Sequence, residues 1–268
     1  KLFDPACGSG NFLIIAYKEM RKLEMKIFQR LRELDINYQT IFTRPKIQLT
    51  QFYGIEIDDF AHEIAILSMW LAEHQMNVLF KEELKVAIPS LPLKPSGKIV
   101  CDNATTADWE DVCPKSDDFE IYLLGNPPYL GARFQNERQK ADMELVLKDI
   151  PSLRKLDYIA CWFVKGASYV RTGGAELGFV STNSITQGQL VSILWPYLLK
   201  QGVEISFAHK SFQWQNNAKY NAGVTVVIVG LRAPSKAPKT IFSSDHVQVV
   251  DNITPYLTTG KNIIVQPS

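Results

Sequence analysis

The tetrapeptide Asn126-Pro127-Pro128-Tyr129 holds the side chains of this sequence that are best suited to chemistry. It follows an apolar run, residues 121–125, and an apolar run bounded by Gly and Pro predicts a buried strand that ends at the edge of a sheet. Two prolines stiffen the backbone and remove two N–H donors, so the Asn126 side-chain oxygen and a nearby carbonyl form a rigid pair of acceptors. The Tyr129 ring offers a face for stacking. The segment therefore predicts a site for a planar heterocycle that carries an amino group.

A glycine-containing turn near the start of the chain is a second candidate site. Residues 1–3 read as a short strand, and a helix is expected from about Asn11. Gly8 and Gly10 allow the backbone to approach a ligand closely, and the turn places N–H groups at a helix N-terminus. A Gly-x-Gly turn alone is weak evidence, because such turns serve many nucleotides. Asp4 and Pro5 precede this one, and an acid there suits a ligand with a cationic part, such as S-adenosylmethionine.

Two further acids follow apolar runs. Glu56 lies near the end of residues 51–58, and an acid at the tip of a second strand can accept hydrogen bonds from both ribose hydroxyls of a nucleoside. Asp102 lies in residues 98–104, which repeat the pattern, and it could accept from an adenine amino group. Three acids at three successive strand ends favour an adenosine-containing cofactor.

Together and in this order, the motifs resemble the class I S-adenosylmethionine-dependent N6-adenine DNA methyltransferases. The resemblance rests on DPACGSGNF at 4–12, GIEID at 54–58, CDNA at 101–104 and GNPPY at 125–129. Residues 179–189, 193–199, 207–214 and 224–231 are similar to the methyltransferase domain of Mme-type (type IIG/IIL) restriction–modification enzymes. The similarity extends over almost all of residues 1–260.

The resemblance implies a role for each motif. The catalytic residues would be Asn126, Pro127, Pro128 and Tyr129, acting on an adenine flipped out of double-stranded DNA. Tyr129 would stack on one face of that base and Phe212 on the other. Trp214 is the alternative to Phe212 for the second face. The predicted cofactor-binding residues are Asp4, Pro5, Ala6, Cys7, Gly8, Ser9, Gly10, Asn11, Phe12, Glu56, Ile57, Asp102, Asn103 and Asn126. No metal is implied, because a sulfonium is already an activated electrophile.

Alternating strands and helices predict a doubly wound α/β fold with a mostly parallel sheet. The resemblance implies the Rossmann-like class I methyltransferase fold, with seven strands and an antiparallel hairpin at one edge. The sequence predicts strands over 176–180, 203–208 and 222–231, and helices over 11–34, 60–79, 157–170 and 190–200. In the first helix the predicted core residues are Leu13, Ala16, Met20, Leu23, Ile27, Leu31 and Leu34.

Domain organisation is predicted from composition and from the family. Residues 1–232 are expected to form the catalytic domain, and residues 233–268 a linker-like tail leading to a target-recognition domain. Family members also carry a nuclease before this region, so we expect a fragment of a longer polypeptide. Residues 130–153 are predicted to be a long loop with one helix, facing DNA or acting as a lid.

Bulk composition indicates a globular chain. Hydrophobic residues make up 46% of 268, and the apolar stretches fall well short of a membrane span. Four cysteines without a CxxC pair are typical of reduced thiols, which predicts a cytoplasmic protein.

The net charge of +1 is low for a nucleic-acid-binding protein. Basic residues nevertheless cluster after the NPPY segment, and a second group follows near Phe212. These residues are Arg133, Arg138, Lys140, Lys148, Arg154 and Lys155, and His209, Lys210 and Lys219.

Two alternatives remain open from the sequence. One is an RNA or protein-glutamine methyltransferase, because a carboxamide is also a planar amino group. The other is a catalytically silent DNA- or cofactor-binding module, although such a module need not keep an intact NPPY segment.

Overall fold

The computed structural model describes residues 1–34, 44–86, 88, 97–214 and 224–265. The proline-rich residues 89–95, whose composition predicts a loop, lie outside these ranges, as do Lys219 and the first two residues of the predicted strand 222–231. The chain forms two compact units, residues 1–103 with 111–113 and residues 104–110 with 114–268. No described helix is long and apolar enough to cross a membrane.

The first unit contains a three-stranded parallel sheet in the order β3-β2-β1 and two long helices. Its elements are β1 (Leu2–Asp4), α1 (Asn11–Leu34), β2 (Phe52–Glu56), α2 (Asp59–Leu84) and β3 (Ile99–Cys101). Asp4 pairs with Gly54 and Glu56 pairs with Cys101, so the acidic ends of these strands lie at one edge of the sheet. Both prediction and structure begin α1 at Asn11 and end it at Leu34.

The second unit contains six strands in the order β4-β5-β7-β6-β8-β9. β4 and β5 are parallel, β7 runs antiparallel to both β5 and β6, β8 is parallel to β6, and β9 is antiparallel to β8. Its elements are β4 (Ile121–Gly125), α4 (Glu137–Val146), α5 (Ala160–Val170), β5 (Ala175–Thr182), α6 (Gly188–Lys200), β6 (Glu204–Trp214), β7 (Val224–Arg232), β8 (Lys239–Phe242) and β9 (Val247–Val250). The short helix α3 (Trp109–Val112) has its first two residues in the second unit and its last two in the first.

The predicted fold class is confirmed, with one correction to the strand count. The sheet has nine strands within the described residues rather than seven. The two additional strands, β8 and β9, come from the segment predicted to be a tail. Because β8 pairs with β6, the antiparallel β6–β7 hairpin does not form the edge of the sheet.

Buried charges hold the start of this segment against the sheet. Glu204 at the start of β6 accepts from Arg232 Nε at 2.9 Å and lies 2.9 Å from the Lys239 ammonium. Arg232 and Lys239 are both buried. Burial works against ionisation of Glu204, but the two cations lower its pKa. Residues 239–250 are thus integrated into the sheet.

The predicted core face of α1 was largely wrong. Leu13 is buried, but Leu23, Ile27 and Leu34 are 59%, 52% and 67% exposed. The remaining predicted core residues Met20 and Leu31 are also exposed, and Ala16 is half-buried. The face that is buried carries Leu13, Tyr17, Arg21, Glu24, Met25 and Phe28.

Hydrogen bonds explain why α1 can bury charged side chains. Arg21 donates to the Tyr17 hydroxyl at 2.6 Å and to Asn77 Oδ1 of α2 at 3.2 Å. Glu24 accepts from the backbone N–H groups of Lys46 and Ile47 at 2.5 and 3.1 Å. Buried charge is tolerated where such partners exist. A purely apolar pattern therefore misplaces the core face of this helix.

Two other helices follow their sequence signals closely. Asp58 caps α2 by accepting from the Ala61 N–H at 2.8 Å, and Lys85 ends this helix in a left-handed conformation with φ of 56°. Helical spacing within 157–170 predicts a core face, and in α5 all five of its residues are buried: Ala160, Phe163, Val164, Ala167 and Val170. Residues 130–153 contain one α-helix, α4, as predicted.

Candidate active site

The turn after β1 is shaped by two glycines with positive φ. Gly8 has φ of 54° and Gly10 has φ of 85°, values that favour glycine. The Gly10 N–H donates to the Cys7 carbonyl at 2.8 Å, and α1 begins at the next residue. A Cβ at Gly8 would have no heavy atom within 4 Å, so the backbone there lies beside open space. The turn thus leaves backbone accessible beside Gly8, next to the N-terminus of α1.

Glu56 ties the turn to the end of β2. One of its carboxylate oxygens accepts from the Gly8 N–H at 2.8 Å, and the other accepts from the Asp58 N–H at 2.9 Å. Each carboxylate oxygen has a second lone pair, so Glu56 keeps acceptor capacity for a ligand. The Asp102 N–H donates to the Glu56 carbonyl at 2.9 Å, which brings the ends of β2 and β3 together.

Asp4 is a buried acid with unused acceptor capacity. It is 1% exposed, and its Oδ1 accepts from the Ala6 N–H at 3.0 Å. Its Oδ2 is buried without a hydrogen-bond partner among the described residues. Burial raises the pKa of Asp4 to about 7, the Ala6 N–H opposes that shift, and nearby Glu56 adds to it. A bound cation at this position would offset the cost of keeping Asp4 ionised.

Cys7 lies inside the turn and has the environment of a structural thiol. It is buried, and a Cβ on Gly54 would lie 3.0 Å from its sulfur, so β2 packs closely against it. Burial raises the pKa of the Cys7 thiol well above its usual range, and Asp4 and Glu56 add to that effect. A thiol of this kind is a poor nucleophile at neutral pH.

The other predicted cofactor residues follow β2 and β3. Asp102 is exposed, and its Oδ1 accepts from the N–H of the buried Asn103 at 2.7 Å. Ile57 is 52% exposed, which leaves an apolar surface next to Glu56. Hydrogen bonds thus connect Gly8, Glu56 and Asp102, and Asp4 lies close enough to Glu56 for the two carboxylates to repel each other.

The NPPY segment follows β4 directly, as predicted. Pro127 is buried, Pro128 is exposed, and Asn126 and Tyr129 are half-buried. The Asn126 side-chain oxygen is shielded from solvent and has no hydrogen-bond partner among the described residues. Buried amide oxygens in native proteins are nearly always paired, so an unpaired one needs an explanation. The Asn126 oxygen would be explained if it accepts a hydrogen bond from a bound ligand.

Contacts that the sequence did not predict fix the backbone after Tyr129. The Leu130 carbonyl accepts from the Tyr158 N–H at 2.9 Å and from the Gln135 side-chain amide at 3.2 Å. Gln135 is buried and also donates to the Leu156 carbonyl at 3.0 Å. Residues 130–156 are therefore joined at their base by one glutamine side chain. An isolated Gln in a polar segment gives no sequence signal for this role.

A second network missed by the sequence analysis lies at the end of β5. Ser184 donates to Asp157 Oδ2 at 2.7 Å and lies 2.7 Å from the Thr182 hydroxyl. Ser184 and Thr182 belong to residues 179–189, which the sequence analysis used only as a mark of resemblance.

The strands predicted over 203–208 and 222–231 place Phe212 and Trp214 in the loop between them, but β6 extends to Trp214, so both residues lie within that strand. Both are half-buried. The Phe212 ring meets His209 edge to face at a centroid distance of 4.7 Å and lies 6.3 Å from the Trp214 ring. The pairing register of β6 with β7 shifts between His209 and Phe212, which turns this part of the strand.

Two of the predicted basic residues are already paired with carboxylates. Lys140 forms an ion pair with Glu137, and Arg154 forms one with Glu144. Arg133, Arg138, Lys148 and Lys155 are exposed and form no ion pair with the described residues. No group of three or more His, Cys, Asp or Glu side chains in the described ranges is arranged to hold a metal ion.

Acidic residues at successive strand ends, a glycine turn opening α1 and an NPPY segment after β4 define a Rossmann-like methyltransferase. Residues 1–243 match the family of MmeI DNA-methyltransferase domains, and this chain belongs to that family.

Individual relatives agree with this assignment. DNA methyltransferase A of Bacillus subtilis (strain 168) is 52% identical over 267 residues, which cover 99% of this chain and 30% of the relative. The structure of the type IIL restriction–modification enzyme MmeI in complex with DNA superimposes with a TM-score of 0.90 at 39% identity. That match covers 99% of this chain and 36% of MmeI.

A more distant structure shares the fold alone. The type IIG restriction endonuclease BpuSI is 12% identical with a TM-score of 0.54, covering 91% of this chain and 23% of its own. This chain spans about a third of the length of the two closer relatives described above.

Proposed function

We propose that this protein transfers a methyl group from S-adenosylmethionine to the N6 amino group of adenine in double-stranded DNA. It would act as the modification part of a restriction–modification system, as a site-specific, adenine-specific DNA methyltransferase. The observation that carries the proposal is the buried, unpaired Asn126 side-chain oxygen at the end of β4. The partners are double-stranded DNA and further domains of the same polypeptide, for target recognition and for cleavage.

Asn126 and the rigid backbone beside it would act on the target nitrogen. The N6 lone pair of adenine is delocalised into the ring, which makes this nitrogen a poor nucleophile. Hydrogen bonds from its two protons to Asn126 Oδ1 and to the Pro127 carbonyl favour a pyramidal nitrogen. They also stabilise the positive charge that develops during attack. The prolines and the Leu130–Gln135 contact keep these acceptors in place, so little reorganisation is needed.

The first unit supplies residues that fit the proposed cofactor. S-adenosylmethionine, when bound, supplies a methyl group on a positively charged sulfur. The unpaired Asp4 oxygen suits a cationic neighbour, because a cation favours the ionised carboxylate. Glu56 keeps lone pairs for ribose hydroxyls, Asp102 can accept from the adenine amino group, and Ile57 offers an apolar surface to the ring. Positioning of the two reactants then accounts for much of the rate.

The proposal is tested with two matched variants in the full-length parent enzyme and its DNA. Asn126→Ala should abolish methyl transfer and leave S-adenosylmethionine binding nearly unchanged, because Asn126 acts at the target nitrogen in the transition state. Glu56→Ala should instead greatly weaken cofactor binding, as measured by calorimetry. A methylation rate in Asn126→Ala within a few-fold of the wild type would refute the catalytic assignment.

The same assay separates the alternative substrates. Duplex DNA, RNA and a glutamine-containing peptide are offered in competition, and methylated adenine in the DNA is the expected product. Preferential methylation of RNA or peptide would replace the proposed substrate. Cofactor binding without transfer to any of the three would indicate a silent binding module.

A further inference from the structure

An open groove in the second unit is lined by basic side chains and lies among the C-terminal ends of three helices. It has a volume of about 810 Å³. The last turns of α4, α5 and α6 contribute Val146, Ser168 and Lys200 to its walls. The ends of α5 and α6 lead into the starts of β5 and β6, whereas the NPPY segment follows the carboxyl end of β4, which runs parallel to β5. The residues that line the groove include none of the NPPY segment.

The charges around the groove are unbalanced. The groove is lined by one carboxylate, Asp149, and by four cations: Lys148, Lys165, Arg171 and Lys200. The difference, four minus one, leaves three positive charges. Each helix C-terminus contributes roughly half a negative charge, so the three helix ends leave a net charge of about +1.5. An anion with about two negative charges would match this excess.

The cations also differ in how they are held. The Lys165 ammonium donates to the carbonyls of Thr105 and Ala107 at 3.0 and 2.5 Å, which fixes its charge in the wall. Lys148, Arg171 and Lys200 are exposed, and they form no ion pair with the residues that the structure describes. Their nitrogen atoms can turn toward a ligand without breaking an existing ion pair.

One wall of the groove is apolar. Leu145 is 58% exposed, and Val146, Val164 and the half-buried Tyr197 continue the surface. A sugar–phosphate backbone offers only small C–H surfaces between its phosphates, whereas a small organic phosphate can place one larger apolar or aromatic group on these side chains. The volume also lies within the usual range for small-molecule sites, about 300–1,000 Å³.

We propose that this groove binds a small phosphorylated organic molecule with about two negative charges. Its phosphate contacts Arg171 and Lys200, and its apolar or aromatic part packs on Leu145 and Tyr197. This inference is independent of the methyl-transfer proposal, because none of these residues belongs to the predicted active site.

Calorimetric titration of the protein with AMP, inorganic phosphate and adenosine tests the proposal. AMP carries both the dianion and the planar apolar part, so it should bind more tightly than either fragment. Loss of two charge-assisted contacts in Arg171→Ala/Lys200→Ala should weaken AMP binding about tenfold or more. Arg171→Lys should retain part of the affinity. The double variant Lys236→Ala/Lys261→Ala, which removes two exposed charges elsewhere, should bind AMP like the wild type.

Four outcomes would overturn the proposal. The first is absence of AMP binding to the wild-type protein; a lower melting temperature in Arg171→Ala/Lys200→Ala would then mean that the cations only stabilise helix ends. The second is equal loss in the control double variant, which would indicate a general charge effect. The third is loss of AMP binding in Glu56→Ala, which would place AMP in the cofactor site. The fourth is displacement of AMP by a short DNA duplex, which would assign the groove to nucleic-acid backbone.

Discussion

Asp4 is the residue whose burial has the clearest consequence for stability. Burial raises its pKa from 3.8 to about 7, while the Ala6 N–H opposes and Glu56 reinforces the shift. Between pH 4 and 7 the folded protein therefore holds a proton that the unfolded chain has lost, so stability falls as the pH rises through this range. The shift of roughly three units corresponds to an upper limit of about 4 kcal/mol.

The Asp4→Asn variant removes this titration and can still accept from the Ala6 N–H. We expect its free energy of unfolding to rise relative to the wild type between pH 4.5 and 7.5, as measured by urea denaturation. Asp117→Asn, at an exposed carboxyl, is the matched control. If the free energies of unfolding of the wild type and Asp4→Asn changed with pH in parallel, the buried carboxyl would not resist ionisation.

Phe212 remains the predicted partner of Tyr129 across the flipped adenine. Replacing it with Ala should weaken binding of DNA that carries an already extruded base, by about 1–3 kcal/mol for one lost stacking contact. Trp214→Ala should have a smaller effect on DNA binding. Phe212 is half-buried in β6, so the alternative is that Phe212→Ala lowers the stability of the protein by several kcal/mol. A lower melting temperature in Phe212→Ala without a selective loss of DNA affinity would show that the ring is structural.

The sequence predicted where the candidate site residues lie in the fold, but not the contacts that hold them. The strand-end positions of Asp4, Glu56, Asp102 and Asn126 were predictable because acids and amides after apolar runs mark strand ends. Gln135 was not, because its partners are the carbonyls of Leu130 and Leu156, which are brought together only by the fold. The unpaired oxygens of Asp4 and Asn126 likewise depend on neighbours that are distant in sequence.

At the scale of elements, α1 shows where a periodic pattern fails. The bounds of the helix were correct, but the exposed apolar stripe was predicted to be core. The true core face includes Arg21 and Glu24, whose partners are Asn77 and the backbone of residues 46–47. Periodicity cannot identify those partners, and it ranks charged residues as exposed. In α5 every predicted core residue is apolar, and there the pattern succeeded.

The two faces of α1 give a matched pair of substitutions. Leu13→Ala removes a fully buried side chain and should cost about 2–5 kcal/mol in the free energy of unfolding. Leu23→Ala makes the same chemical change at a side chain that is 59% exposed, and it should cost at most about 0.5 kcal/mol. Urea denaturation of both variants measures the difference. Similar losses of unfolding free energy in the two variants would mean that the Leu23 side chain is buried in solution.

At the scale of the whole molecule, composition predicted the class and missed part of the sheet. The predicted linker-like tail contributes β8 and β9 because β6 has a second edge that can pair, and Lys239 finds Glu204 as a buried partner. Short strands in a polar segment give weak periodic signals in the sequence, so β8 and β9 are identified only by their pairing in the structure.

The near-neutral charge of the whole chain predicts the strength and the salt dependence of its binding to DNA. Residues 1–268 should bind duplex DNA weakly, without sequence preference and with marked sensitivity to salt, because they offer few phosphate contacts. Of six basic residues after NPPY, Lys140 and Arg154 are paired and Lys148 lines the groove described above, which leaves Arg133, Arg138 and Lys155. Each contact contributes about 0.9 to the slope of log affinity against log salt, so we expect a slope of magnitude about 2–3.

Fluorescence anisotropy with a labelled duplex and a shuffled duplex measures both the slope and the selectivity. Arg133→Ala should reduce the slope by about one, and Lys236→Ala should leave it unchanged, if the exposed residues after NPPY face the phosphates. The prediction assigns sequence selectivity to parts of the parent polypeptide outside residues 1–268. Tight binding that distinguishes the two duplexes would place sequence recognition within this chain.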